Sequence, residues 1–187
     1  NETEGNTATS IFDLAGAEIQ NFDTKKTEDR FWRSYTTDAY YRWQIDTSGQ
    51  EFSVEGDYAN YRRRVTSLLT TEGADFPDRE NFQPADTRIM AFKSDYKLPL
   101  SDVFKLETGV KYSRTDLDNE QDAKVRQNDT WINDILLSNT FAYAEDIYAA
   151  YGSLHFNKGP WEANAGLRYE NSQATGYSPT LASTINI

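Results

Sequence analysis

Residues 139–170, NTFAYAEDIYAAYGSLHFNKGPWEANAGLRYE, contain two runs of alternating side chains that flank the turn Asn157-Lys158-Gly159-Pro160. In the first run the even positions are apolar or small: Tyr148, Ala150, Gly152, Leu154 and Phe156. In the second run the odd positions have the same character: Trp161, Ala163, Ala165, Leu167 and Tyr169. Because successive side chains of a strand point to opposite faces, this stretch predicts a β-hairpin with one apolar and one polar face.

Aromatic residues mark both ends of the apolar face. Tyr148 and Phe156 are eight residues apart, and so are Trp161 and Tyr169. At about 3.3 Å per residue and a strand tilt of about 40°, this spacing corresponds to about 20 Å across a membrane. Two aromatic rows with aliphatic residues between them are typical of the lipid-facing surface of an outer-membrane β-barrel. The alternative is a soluble β-sandwich that binds a ligand such as a carbohydrate and whose core face ends in aromatics.

Four further segments show the same alternation, at about residues 31–45, 52–59, 87–98 and 103–115. Together with the hairpin they predict an all-β fold. It is an antiparallel up-and-down meander of about six strands in three hairpins, part of a larger transmembrane β-barrel. The aromatics predicted to lie at the lipid interfaces are Tyr35, Trp43, Phe52, Tyr58, Phe104, Tyr112, Tyr148, Phe156, Trp161 and Tyr169.

The connections between the predicted strands alternate in length. Short turns at residues 46–50, 99–102 and 157–160 alternate with long polar segments at 68–85 and 116–138. Bacterial outer-membrane barrels have short periplasmic turns and longer extracellular loops. The alternation therefore favours the barrel over the sandwich.

The polar face of the predicted strands carries charges that a barrel would direct into its lumen. Opposite charges on neighbouring strands would also form cross-strand pairs there. The predicted lumen-facing residues are Arg42, Glu55, Asp57, Glu107, Lys111, Glu162, Arg168 and Glu170.

The pattern divides the chain into three parts. Residues 1–30 are predicted to be a polar N-terminal loop, in which the sequence allows a short helical turn around 13–20. Residues 31–175 are the six-stranded barrel segment, and residues 176–187 are a loop end. The sequence begins without Met or a signal-peptide pattern, so we expect it to be a piece of a longer protein.

Composition restricts the possible partners and chemistry. The chain has no cysteine, which excludes disulfides and thiolate metal sites. Its net charge of −11 argues against a nucleic-acid partner. Mean hydropathy is −0.78, and no run approaches the roughly 20 apolar residues of a transmembrane helix. A membrane barrel remains compatible with this composition because it exposes only every second residue to lipid.

Three stretches also resemble a known family. They are LETGVKYSRTDLDNEQ at 106–121, FAYAEDIYAAYGSLHF at 141–156 and GPWEANAGLRYENSQATGYS at 159–178. They are similar to the outer-membrane β-barrel domain of TonB-dependent receptor-like proteins. The family's pattern has an E-x-I-x-A-A-Y strand, a short turn, a tryptophan and a G-L-R-Y-E strand. In this chain the pattern falls at 145–151, at Trp161 and at 166–170.

The resemblance implies a barrel of about 22 strands. It also implies an N-terminal plug, a segment that contacts the TonB complex, and the uptake of a siderophore, saccharide or peptide. The expected partners are outer-membrane lipid, the rest of the barrel with its plug, the TonB complex and a small nutrient ligand. Six strands cannot close in lipid, because an open sheet edge leaves backbone groups unpaired. The sequence therefore represents a section of barrel wall.

Motifs for chemistry are sparse, and neither an enzyme nor a cofactor is expected. His155, the one histidine, lacks convergent partners in the sequence. Residues 116–122 have carboxylates at a calcium-loop spacing but lack the required glycine, which predicts a solvated acidic loop. The glycosylation sequon at 128–130 is interpreted as chance. The basic run at 62–64 is predicted to form ion pairs with the acidic loops; the alternative is that it meets lipopolysaccharide phosphates or an anionic ligand at the outer rim.

Overall fold

The computed structural model describes residues 2–180 and 182–186, which form a single antiparallel sheet. Each strand pairs with its neighbour in the chain, except that the short β6 pairs only with β5, so that β5 and β7 are adjacent. The strands are β1 (Glu2–Phe12), β2 (Glu18–Gln44), β3 (Glu51–Glu72), β4 (Arg79–Pro99), β5 (Phe104–Gln127), β6 (Thr130–Asn133), β7 (Asn139–Lys158), β8 (Trp161–Ser178) and β9 (Ser183–Asn186).

The predicted fold class is confirmed, although the described part of the chain has nine strands where six are predicted. The register makes the predicted apolar faces continuous. Trp43 lies opposite Phe52, which lies opposite Tyr96. Phe104 lies opposite Phe156 in the same way. Since directly opposed residues share a face, the sheet has one aromatic and one polar side.

The strands are much longer than predicted. β2 has 27 residues, and the predicted long connections at 68–85 and 116–138 consist largely of extended ladder. In these outer segments both faces of the strand carry polar residues. The period-two pattern of apolar residues that identifies a strand from sequence is therefore absent. Backbone pairing with the neighbouring strand, rather than burial, maintains them.

The N-terminal segment is also extended. Residues 2–12 and 18–29 pair as a hairpin, where the sequence predicts a loop with an optional helical turn; residue 1 lies outside the described residues. The turn is closed by the carboxylate of Asp13, whose Oδ1 accepts hydrogen bonds from the backbone N–H of Ala15 and Ala17, each at 2.8 Å. Across this hairpin Lys25 forms an ion pair with Glu4 at 3.2 Å.

The C-terminal end likewise contains strand. Residues 176–187 are predicted to be a loop end, but β8 continues to Ser178 and β9 covers Ser183–Asn186. Residues 181 and 187 of this segment lie outside the described residues.

The turn between β2 and β3 shows how the short connections close. Asp46 Oδ1 accepts hydrogen bonds from the backbone N–H of Ser48 at 2.9 Å and of Gln50 at 3.1 Å. Gly49 follows with a φ of 97°, in the left-handed region that glycine adopts readily. The hydrogen bond from the Ser48 side chain, followed by that from the Gln50 backbone, lowers the pKa of Asp46.

The sheet has one layer and a small core. Among the described residues the buried side chains are few, and all lie on the polar face: Glu28, Ser53, Val65, Ala123, Ala149 and Ser178. A β-sandwich requires a second sheet against the apolar face, and the described residues form no second sheet. The sandwich alternative is therefore not supported.

No helix in the described ranges is long and apolar enough to cross a membrane.

Candidate functional site

The register separates the two sets of residues selected from the sequence. We define the polar face as the even positions of β2 and β8 and the odd positions of β3, β4, β5 and β7; the aromatic face is the reverse. All eight predicted lumen residues lie on the polar face, and all ten predicted interface aromatics lie on the aromatic face. The phases read from sequence thus agree with one continuous pairing pattern.

The centre of the polar face is organised by Tyr151. Its hydroxyl donates a hydrogen bond of 2.5 Å to Asp95 Oδ1, although Asp95 lies two strands away. The ring reaches Asp95 by crossing Gly109, where a Cβ would lie 2.5 Å from the Tyr151 ring carbon Cζ. On the other side, the Arg168 guanidinium lies 5.6 Å from the ring centroid. One side chain therefore connects β4, β5, β7 and β8.

Two lysines lie directly opposite each other beside this tyrosine. Lys93 on β4 pairs in register with Lys111 on β5, and like charges in such positions repel. Lys93 Nζ forms an ion pair with Asp95 at 2.8 Å. Lys111 is exposed and has no ion-pair partner among residues 2–180 and 182–186. Both lysines line an open groove of about 670 Å³ together with Tyr151, Ser153 and Arg168.

The structure pairs some of the predicted lumen residues. Arg168 binds Glu170 at 2.6 Å, and Arg42 reaches Glu51 at 3.9 Å. Glu107 pairs with Lys105 at 2.6 Å. The remaining members, Glu55, Asp57, Lys111 and Glu162, lie on the same face without a described ion pair.

His155 occupies the polar face near the β7–β8 turn, as the alternation predicts. Its Nε2 lies 3.6 Å from Glu107 Oε2 and 3.2 Å from Ser153 Oγ. Within the described ranges no three His, Asp or Glu side chains are placed to hold a metal ion.

Sequence reasoning missed Tyr151, Gly109, Asp95 and Lys93. They belong to two adjacent rows of the sheet: Asp95, Gly109 and Tyr151 pair in register, and Lys93 lies in the row next to theirs. Before the register is known, nothing in the local sequence brings them together. The alternation could have placed each one on the polar face, but not beside the others.

The aromatic face is strongly exposed. Trp161 is 73%, Leu167 87% and Tyr169 71% exposed. Aromatic pairs join neighbouring strands at both ends of the apolar band. The ring centroids of Phe104 and Phe156 are 5.1 Å apart, and those of Tyr112 and Tyr148 are 5.0 Å apart. No charged side chain lies on this face between the two aromatic rows of β2–β5, β7 and β8.

Both aromatic rows run obliquely across the strands. Direct pairing from Trp43 on β2 leads in five steps to Leu167 on β8, six residues from Trp161. Pairing from Tyr35 leads in the same five steps to Thr175, six residues from Tyr169. The two rows are therefore parallel to each other.

Beyond the row that contains Tyr35, Tyr58 and Tyr112, the same face becomes charged. Arg62 binds Asp86 at 2.7 Å, and Arg114 binds Asp116 at 2.9 Å. The predicted acidic loop at 116–122 is thus part of β5, and its even positions form a row of carboxylates beside arginine and lysine. The Arg114 guanidinium, the largest influence, lowers the pKa of Asp116.

The basic run at 62–64 divides between the two faces. Arg62 and Arg64 lie on the aromatic face, whereas Arg63 lies on the polar face opposite Trp32. Arg33 lies directly opposite Arg62, and its guanidinium is 5.3 Å from the Tyr35 ring centroid. The predicted pairing with acidic groups holds for Arg62, which binds Asp86 on the neighbouring strand.

A protein-family model described as the outer membrane protein beta-barrel family matches residues 43–187. A search of curated proteins finds no significant match. Among solved structures, the chain is similar to the ferric citrate transporter FecA in its unliganded form, with 13% sequence identity and a TM-score of 0.60. The match covers 100% of this chain and 31% of the FecA chain, and at this identity it shows the fold alone. The chain belongs to the outer membrane protein beta-barrel family and is located in the outer membrane.

Proposed function

We propose that this chain forms part of the wall of an outer-membrane transporter that takes up a small nutrient with energy supplied through TonB. The aromatic face contacts lipid and the polar face lines the lumen. The observation that carries the assignment of faces is the oblique course of the two aromatic rows, which matches the geometry of a membrane barrel.

The slope of the rows gives a strand tilt. Six residues correspond to about 20 Å along the strands, and five strand spacings to about 24 Å across them. If both rows lie parallel to the membrane plane, the strands are tilted by about 40° from the membrane normal, within the range of about 35–45° for transmembrane barrels. On some neighbouring strands the aromatics are in direct register, and on others they are offset by two or four residues. With this tilt, both aromatic rows lie parallel to the membrane plane.

The distance between the rows supports the same assignment. Eight residues at this tilt span about 20 Å, close to the apolar band of about 25 Å in outer-membrane barrels. Exposed apolar patches of this extent are uncommon on soluble proteins and mark contact with a membrane or a partner. The predicted interface aromatics then form two girdles, one beside the short turns and one at the opposite boundary.

The polar face has the features of a lumen wall. Its side chains are the more buried ones of the sheet, which is expected on the concave side of a curved wall. Its charges are partly paired between strands, and Lys111 and Glu162 are available to water, to a plug or to a passing solute. We therefore propose the lumen-facing role for all eight residues selected from sequence.

Nutrient transport and TonB coupling draw support from the family resemblance and from the fold similarity to a transporter. FecA is a ferric citrate transporter by its description, and this chain spans 31% of it. The proposed substrate is a siderophore, a saccharide or a peptide.

Uptake by the full-length protein in its outer membrane tests the proposal. Cells with and without the gene would be supplied with labelled iron–siderophore complexes, oligosaccharides or peptides, with and without collapse of the proton-motive force. We expect deletion to reduce the uptake of one class, and collapse to remove the same component. Gene-dependent uptake that persists after collapse would indicate a passive pore and contradict TonB coupling.

A further inference from the structure

The polar face is locally basic at its outer end. Beyond the outer aromatic row, this face of the described strands β2–β5 carries more basic than acidic side chains. The basic ones are Lys26, Arg30, Arg63 and Arg79, and the acidic ones are Glu18 and Glu28. Glu18 lies at the far end of β2, and Glu28 is buried in ion pairs with Lys26 and Arg30. The whole chain, in contrast, has a net charge of −11.

A pocket of about 410 Å³ lies in this basic region. The polar-face residues that line it are Glu28, Arg30, Trp32, Arg63, Val65 and Gln83. Trp32 on β2 lies directly opposite Arg63 on β3. Val65, two residues farther along β3, lies between Arg30 on β2 and Gln83 on β4. The register of three strands thus brings an indole ring, two guanidinium groups and an amide together in one pocket, which we call the tryptophan pocket.

Arg63 is the available cation of the tryptophan pocket. It is exposed and has no ion-pair partner among residues 2–180 and 182–186. Glu28, the acid that lines the pocket, is already held in two ion pairs. The next acids on this face of β2 and β3 are Asp38 and Asp57, six residues from Trp32 and Arg63 respectively. This is about 20 Å along the strands, well beyond the screening length of about 10 Å. The N–H donors of Arg63 are therefore available to an anion in the pocket.

Trp32 offers a flat apolar surface to the same pocket. The indole is 65% exposed, although it lies on the polar face. Trp43 and Trp161 lie on the aromatic face, so contact with lipid accounts for those two tryptophans but not for Trp32. An exposed indole packs against the apolar side of a ring and donates a hydrogen bond through its N–H. An aromatic surface with a few convergent polar groups is the usual composition of a small-molecule site.

The tryptophan pocket lies where a solute would enter the barrel. At a tilt of about 40°, Trp32 is about 8 Å beyond Tyr35, and Arg63 is about 13 Å beyond Tyr58. This is the end of the wall opposite the short turns, which is the outer side of an outer-membrane barrel. A nutrient that arrives from outside would therefore meet this pocket before it meets the groove beside Tyr151.

We propose that the tryptophan pocket binds an acidic sugar unit of the nutrient, with the sugar ring against Trp32 and the carboxylate on Arg63. Arginine binds a carboxylate through two parallel N–H donors, and the Gln83 amide supplies a donor and an acceptor for hydroxyl groups. Arg30 adds positive charge. The proposal rests on the proposed function and selects acidic saccharides from its three substrate classes.

Binding by the purified full-length protein in detergent tests the site. The probes are trimers of galacturonate, glucuronate and mannuronate, each also as its methyl ester, which keeps the rings and removes the charge. Calorimetry would give the Kd for the wild type and for the variants R63Q and W32A. The matched control is R79Q, which removes another exposed arginine of the same face, opposite Leu69 and six residues from the position of Arg63.

We expect the wild type to bind at least one trimer about tenfold more tightly than its methyl ester. R63Q should lose roughly tenfold in affinity for the acid and nothing for the ester, because both changes remove the same interaction. W32A should weaken the binding of acid and ester alike, by roughly fivefold. R79Q should stay within about twofold of the wild type, since its charge is screened at that distance.

Three results would each overturn the proposal: no trimer bound by the wild type, equal affinity for acid and ester, or equal losses in R63Q and R79Q. A loss in R63Q that is the same for acid and ester would also overturn it, because Arg63 would then support the wall or a plug. Arg63-dependent binding of a ferric carboxylate siderophore, without binding of any uronate, would assign the pocket to another substrate. Heat-modifiable migration on gels verifies that every variant folds as a barrel.

Failure of the pocket and failure of the proposed function are distinguishable, because binding to the purified protein needs neither TonB nor energy. Energy-independent uptake together with Arg63-dependent binding of a uronate would refute TonB coupling alone. Energy-dependent uptake of another substrate, with no binding of any uronate, would refute the acidic-sugar site alone.

Discussion

The ring of Tyr151 occupies the space where a side chain at Gly109 would begin. The two residues lie directly opposite each other on β5 and β7, and a Cβ at Gly109 would lie 2.5 Å from both Cζ and the hydroxyl oxygen of Tyr151. Gly109 thus lets the tyrosine lie flat against the wall and reach Asp95. The glycine is required for space, since its backbone has ordinary strand geometry.

Gly109→Ala should displace Tyr151 and remove its hydrogen bond to Asp95. We expect a loss of about 1–2 kcal/mol in the free energy of unfolding, near the lower end of the range for a hydrogen bond to a charged group because the site is partly exposed. Urea unfolding of the full-length protein in bilayers would measure this. In a Tyr151→Phe background the same substitution should cost less, because the hydrogen bond is already absent.

Gly56→Ala is the matched control, since a Cβ at Gly56 meets no atom within 4 Å. Its effect should stay within about 0.5 kcal/mol. Equal destabilisation by both substitutions would mean that the contact with Tyr151 is not the cause.

Ala165→Arg tests which face meets lipid. Ala165 lies midway between Trp161 and Tyr169 on the aromatic face, at the predicted centre of the bilayer. Arginine at the midplane of a barrel's lipid face costs about 2–4 kcal/mol, so we expect lower stability and less assembled protein in the outer membrane. Asn164→Arg places the same charge on the polar face and should be nearly neutral. Normal assembly of the Ala165 variant would show that the face assignment is wrong.

The tilt of the strands can be measured directly. Polarised infrared spectroscopy of the full-length protein in oriented bilayers reports the angle between the strands and the membrane normal through the dichroism of the amide bands. We expect about 40°, as the slope of the aromatic rows requires. An angle well below about 35° would mean that these rows are not level with the membrane surface.

The extension of β2 beyond the aromatic rows contains a titratable cluster. Glu28 is buried on the polar face between Lys26 and Arg30. Its hydrogen bond with Arg30, and next that with Lys26, lowers the pKa of Glu28 from 4.5 to about 2. Because the pKa is lower in the folded state, the stabilisation is complete above pH 4.5 and is lost as the pH falls toward 2.

Glu28→Gln should therefore unfold at lower urea than the wild type at pH 7, and the difference should shrink between pH 4.5 and pH 2. Urea midpoints at several pH values give the comparison. Glu4→Gln, which removes an exposed partner of Lys25, should show little difference at any pH, since exposed ion pairs contribute little. A constant gap for Glu28→Gln down to pH 2 would contradict the proposed ionisation.

The sequence predicted the part of the fold that the membrane constrains. Between the aromatic rows, apolar and polar residues must alternate, and the phases read from Tyr148 or Trp161 agree with the register throughout. Beyond the rows both faces of the sheet carry polar residues, so the same alternation rule contains no information there. The strand character of residues 2–12, 68–72 and 116–127 was missed for this reason.

The site was predictable only to the level of a face. Arg42, Lys111 and Arg168 could be placed on the polar side by counting residues from an aromatic. The contact of Tyr151 with Gly109 and Asp95 depends on the register of three strands, which no local pattern encodes. The contacts of the basic run at 62–64 also depend on the register. Because side chains alternate along the strand, Arg63 lies on the opposite face from Arg62 and Arg64.

The unbroken ladder between β2 and β3 has a mechanical consequence. Direct pairing continues from Asp23 and Glu72 to Gln44 and Glu51, over 22 residue pairs and about 73 Å of strand, with no irregularity at the membrane boundary. The ladder has no irregularity at which the part beyond the aromatic rows could bend independently of the part between them. A force applied to the projecting end of this ladder, at Asp23 and Glu72, is therefore transmitted along the paired strands to the part of the wall within the bilayer.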